Sequence, residues 1–147
     1  GEDKYRRSVY TFLKRTSPYP SFISFDAGSR EVCLSKRLVT NTPLQALATL
    51  NDPVYLDAAK SLSQKVWVES GKNPEVAIKK VYQQLILLPI SDSKKKSMMQ
   101  LFATAKTGFD RDPKARAEFF PGADASLAAL AVTANAMMNL DEYLTKP

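Results

Sequence analysis

Apolar residues recur at three- and four-residue spacing along most of the chain, and no segment alternates with the two-residue period of a half-buried strand. The pattern predicts helices only. A short first helix is expected over 3–15, with Val9, Phe12 and Leu13 as its stripe and Tyr5 one turn earlier. Ser17-Pro18-Tyr19-Pro20 ends it, because proline cannot continue a helix and restricts the residue before it. From Ser21 to Asn41 the periodicity lapses, and this aromatic, charged stretch reads as an ordered loop with room for one helical turn. Thr42-Pro43 then opens a helix as N-cap and first helical residue, with Leu44, Leu47, Ala48 and Leu50 as its buried side.

Asn51-Asp52-Pro53 repeats the device for a helix over 53–70, carrying Tyr55, Ala58, Ala59, Leu62 and Val66 inward and stopping at Gly71. Asn73-Pro74 begins another, with Ile78, Val81, Tyr82, Leu85 and Leu88 as its stripe and Pro89 closing it. Ser91 or Asp92 caps the next, which turns Met98, Leu101, Phe102 and Ala105 inward and ends at Gly108. A polar connector over 109–123 holds a short helix at 113–120, and Asp124 caps the last helix, about 124–140. The expected fold class is therefore all-α: one domain over 1–147, an irregular bundle of five or six helices with a long ordered loop near the N-terminus. Short connections at 71–73 and 89–92 make antiparallel neighbours. In the last helix only Ser126, Thr133 and Asn135 are polar between Ala125 and Met138. A helix apolar all round is normally buried. Its alanines suit close approach by a neighbour, so the expectation is a helix incompletely covered by its own chain, beside an exposed apolar patch of more than a few hundred Å².

Composition narrows the chemistry. The 147 residues are 44% apolar and 24% charged, as in an ordinary globule of one domain. No apolar run approaches the roughly 18–20 residues of a membrane span. Histidine is absent, which removes the usual general base, the Ser-His and Cys-His pairs and the commonest metal ligand. The single cysteine, Cys33, sits between Val32 and Leu34 and reads as a small buried hydrophobe. One cysteine without histidine builds no haem, zinc or iron–sulfur site, so no such cofactor is expected in these residues. Glycine-rich phosphate loops and the D-x-D-x-D-G calcium loop are missing too. Carboxylate-only acid–base work and a calcium ion on carboxylates and carbonyls stay open, but no catalytic activity is expected of the chain alone.

The net charge is +6, and residues 1–40 hold eight basic against four acidic side chains. Such a basic first third suits an acidic protein partner or an anionic glycan. Its arginines are not arrayed on a recognition helix after a tight turn, so nucleic acid is not among the expected partners. Lys94-Lys95-Lys96, at a helix start, reads as a solvated face.

Two blocks carry a family resemblance. One is Phe25-Asp26 with Arg30-Glu31-Val32-Cys33; the other is Thr40-Asn41-Thr42-Pro43-Leu44-Gln45-Ala46-Leu47 leading to Leu50-Asn51-Asp52-Pro53. With the closing Asn139-Leu140-Asp141-Glu142-Tyr143-Leu144, they resemble the family called domain of unknown function 1553. The sequence departs from the family's usual pattern at Lys36-Arg37 and Ala27-Gly28. The resemblance implies the carboxyl-terminal domain of a large secreted or periplasmic protein of planctomycetes or Bacteroidetes. There it follows a second uncharacterised domain and often an amino-terminal c-type cytochrome domain, so a c-type haem belongs elsewhere in such a protein. On this reading the chain supports or docks onto the preceding domain. The alternatives are a share in an enzymatic or glycan-binding site completed upstream, and a docking surface for an electron-transfer partner.

The candidate ligand or docking surface comprises Tyr19, Phe22, Asp26, Arg30, Glu31 and Arg37. The four charged members read as an ion-pair network pinning the loop, or as a carboxylate–guanidinium surface that meets a sugar. Tyr19 and Phe22 flank prolines, where aromatic rings can stack on a ligand. Trp67, between Val66 and Val68, reads as packing. Asn41, Thr42, Gln45 and Asn51 are accounted for by capping and turn hydrogen bonds.

Overall fold

The computed structural model describes residues 8–12, 14, 16–17, 20–27 and 40–145. Among them every regular element is helical. A 3₁₀ turn, Ser8–Tyr10, comes first, and Val9 and Phe12 are exposed there rather than forming a buried stripe. The helices are α1 (Pro20–Ser24), α2 (Pro43–Asn51), α3 (Pro53–Glu69), α4 (Pro74–Ile86), α5 (Asp92–Arg111), α6 (Pro113–Phe119), α7 (Ala125–Met137) and α8 (Asp141–Leu144).

The start signals work as the sequence predicts, and Asp112, not singled out in the sequence, caps α6 in the same way. Side chains of Thr42, Asp52, Asn73, Ser91, Asp112 and Asp124 accept hydrogen bonds from orphan amides in the first turns of the helices they precede. Thr42 and Gln45 form a reciprocal capping box. The stop signals need two corrections. α5 runs through Gly108 to Arg111, because Asp112-Pro113 interrupts it more strongly than one glycine does. α4 ends at Ile86, before Pro89, and Leu87 takes the left-handed conformation (φ 66, ψ 13) as its cap. Leu88 is consequently exposed instead of lying on the α4 stripe. Ala58 of α3 also faces solvent.

The core lies around α7. Six of its thirteen residues are alanine, so neighbouring backbones approach it closely, and it packs chiefly on α5 and α3, then on α4, with α2 and α6 also against it. Leu130, Ala134 and Met137 meet Val66 and Trp67 of α3, Ile78, Val81 and Tyr82 of α4 and Phe102 of α5 in one buried cluster. Each large side chain placed there contributes roughly 1.5–3 kcal/mol. A smaller cluster joins Phe120 to Ala128 and Ala131, with the rings of Phe109 and Phe119 stacked 5.5 Å apart. Lys60 Nζ stands 4.8 Å from the Phe119 ring centroid. The expectation of an uncovered final helix is wrong: five helices of its own chain enclose α7, and Ala128 to Ala131, Thr133, Ala134 and Met137 have no exposed surface. Thr133 satisfies its hydroxyl within the helix, donating to the Ala129 carbonyl at 2.8 Å.

Candidate functional site

Among the described residues Val68, Leu87 and Leu88 are exposed, but an apolar helix face left uncovered is found on α2. Leu44, Leu47 and Leu50, expected inside, are 59%, 58% and 43% exposed, while Gln45 and Thr49 are buried. The helix is mounted polar side inward. Its nine residues carry no charge, in a chain that is 24% charged.

The polar side is held by a seam of hydrogen bonds that starts at Asp26. This residue adopts φ 55, and its Oδ2 accepts from the Thr40 amide (2.8 Å), the Thr40 hydroxyl (2.6 Å) and Gln45 Nε2 (3.5 Å). Those donors, the Thr40 hydroxyl foremost, hold the Asp26 carboxyl below its ordinary value. Gln45 also donates to Thr40 Oγ1 at 3.4 Å, and its Oε1 accepts from the Thr42 amide at 2.9 Å. One turn on, Thr49 Oγ1 lies 2.5 Å from Asn139 Oδ1, and Asn135 Nδ2 donates to the Thr49 carbonyl at 3.0 Å. Asn139 Nδ2 donates to the Asn135 carbonyl at 3.3 Å. Just before α2, Asn41 Nδ2 donates to Asp141 Oδ1 at 2.9 Å.

α8 closes the arrangement from the other side. The buried Tyr82 of α4 donates its hydroxyl to Glu142 Oε2 at 2.9 Å, and Lys94 Nζ pairs with Glu142 Oε1. Glu142 is held below its ordinary value by Lys94 first and Tyr82 second, and the same contact raises Lys94. Burial and the neighbouring carboxylate raise Tyr82. Lys95 contacts Glu75 at 3.2 Å and Asp92 at 3.7 Å. Two members of the lysine run are thus in ion pairs rather than on a purely solvated face.

Of the six predicted site residues, Tyr19, Arg30, Glu31 and Arg37 lie outside the described residues, as does Cys33. Phe22 is half-buried in α1, and its carbonyl accepts from the Ala27 amide at 2.8 Å. Asp26 belongs to the seam. Asn41 and Gln45 do more than cap, since each reaches another segment of the chain. Sequence reading misses Thr49, Asn135, Asn139 and the Tyr82–Glu142–Lys94 cluster. One signal does exist. The carbonyl of Thr49 would ordinarily accept from the amide four residues on, but that residue is Pro53, so an open acceptor is written into the sequence.

The displaced carboxylates Asp26, Glu75 and Glu142 all move toward the ionised form, the opposite of a general acid poised near neutral pH. Among the described residues no group of three or more Cys, Asp or Glu could hold a metal ion, and no helix is long and apolar enough to cross a membrane.

Comparison with family models matches residues 1–102 to PSD1, the protein of unknown function family DUF1553. No curated protein matches the chain, and no solved structure does.

Proposed function

The chain belongs to the DUF1553 family, and we propose that it is a helical module that docks through the outward leucine face of α2 onto another domain of its own polypeptide. The observation that carries this reading is the inverted mounting of α2, with Leu44, Leu47 and Leu50 facing out of an uncharged helix. Uncharged, apolar contact surface is the composition of permanent interfaces rather than transient ones. Its size argues for a tethered partner. Three such leucines present on the order of 300 Å², well short of the roughly 800 Å² per partner of a stable free complex. A partner on the same chain needs less, because linkage supplies an effective concentration in the millimolar range. The upstream domain implied by the family resemblance is that partner, and a secreted or periplasmic protein is the setting that goes with it.

The test compares hydrogen exchange of α2 in the 147-residue chain with that in the full-length protein. Slower exchange over 43–51 in the full-length protein is expected, and Leu44→Asp/Leu47→Asp/Leu50→Asp should abolish the difference. Equal exchange in the two wild-type proteins would overturn the reading.

A further inference from the structure

α2 is a helix that could seat either face on the bundle, and what selects the observed face lies across from it. Packed by its apolar periodicity alone, α2 would turn Leu44, Leu47 and Leu50 inward. The surface that receives it offers amides instead. Asn135 is buried on α7 and donates to the Thr49 carbonyl, the acceptor that Pro53 leaves open. Asn139 Oδ1 is the nearest of three acceptors for the buried Thr49 hydroxyl, which also reaches the Gln45 and Ala46 carbonyls of its own helix at 3.1 Å. Rolling α2 to bury its leucines would leave the Asn135 carboxamide facing hydrocarbon without its acceptor, and buried polar groups are costly when unpaired. The same roll would break the Gln45 bonds to Asp26 and Thr40.

We infer that Asn135 and Asn139, together with Gln45, are positioning residues that set the rotational register of α2 and so keep its leucine face outward. The purpose assigned to that register rests on the docking reading above; the register itself does not. An ordinary bundle would treat two asparagines at the end of an alanine-rich helix as defects. Here they specify which of two packings forms, as single buried polar residues do in coiled coils.

Labelling in the 147-residue chain tests the inference without any docking partner. In a Cys33→Ser background, Leu47→Cys is expected to react with a maleimide at nearly the rate of a free thiol. Adding Gln45→Ala/Asn135→Leu/Asn139→Leu should lower that rate at least tenfold while helix content by circular dichroism is retained, because the leucine face turns inward. A rate unchanged within twofold, or a faster one, overturns the register assignment. Should the combined variant fail to fold, Asn139→Leu alone is expected to slow labelling two- to fivefold, and no slowing there overturns the inference equally. Docking can fail in the full-length protein while this result stands, and the reverse also holds.

Discussion

Ser63 is fully buried on α3, and its hydroxyl has no hydrogen-bond partner among the described residues. Such a group loses its water without replacement, so Ser63→Ala is expected to stabilise the chain by about 1 kcal/mol, read as a higher urea midpoint at unchanged slope. A loss of stability would show that the hydroxyl is satisfied after all. Glu142 gives the opposite kind of residue, a carboxylate whose partners favour its charge. Its folded value lies below the ordinary 4.5, so its contribution is complete above that pH and disappears as pH falls through the depressed value. Asp26 and Glu75 act in the same direction, from ordinary values of 3.8 and 4.5. The wild-type midpoint should therefore drop as pH falls below the ordinary values of these three groups, as far as they are concerned, and Glu142→Gln should shrink that drop. An undiminished drop in the variant would remove Glu142 from the account.

At the scale of elements, capping chemistry was the most legible part of the sequence. Each of the six side-chain caps is a Thr, Asp, Asn or Ser placed just before a helix, and four are followed by proline at the first helical position. Local rules suffice there because the partner amide is two or three residues away. The facing of α2 was illegible for the converse reason. Periodicity reports which face is apolar, but the choice of face is made by Asn135 and Asn139, 86 and 90 residues from Thr49. The seam was half-visible, as an acceptor opened by Pro53 and as isolated polar residues on α7, without the pairing between them. The consequence for variants is a reversal of the usual expectation for leucine. Leu47→Gln should change stability by no more than about 0.5 kcal/mol, whereas Leu130→Ala in α7 should cost about 2–5 kcal/mol. Thermal melts of the two variants decide this, and a large loss in Leu47→Gln would mean that α2 is not mounted as described.

For the whole molecule, the all-helical class follows from periodicity, and the burial of α7 follows from an apolar circumference that only a surrounding bundle can cover. The expectation that this helix is incompletely covered by its own chain fails on geometry. Alanine contributes little area, yet it lets several backbones crowd around one axis, and that is how α3, α4 and α5 share it. Removing everything after Phe120 deletes α7 and should leave a chain without a cooperative thermal transition, although α3, α4 and α5 remain in sequence. A sharp transition in that truncation would show that the three helices form a core unaided.

That α7 follows α3, α4 and α5 in sequence also bears on synthesis. Val66, Ile78, Val81 and Phe102 emerge from the ribosome well before Leu130 and Met137, the residues that cover them. Contacts between α3 and α7 span some seventy residues, so a nascent chain holds the apolar surface of α3 open until α7 has emerged. Such intervals are when chaperones bind and when aggregation begins. A translational pause that delays the emergence of residues 125–137 from the ribosome would prolong that exposure, whereas one placed after α7 has left the exit tunnel would leave the yield of soluble protein untouched.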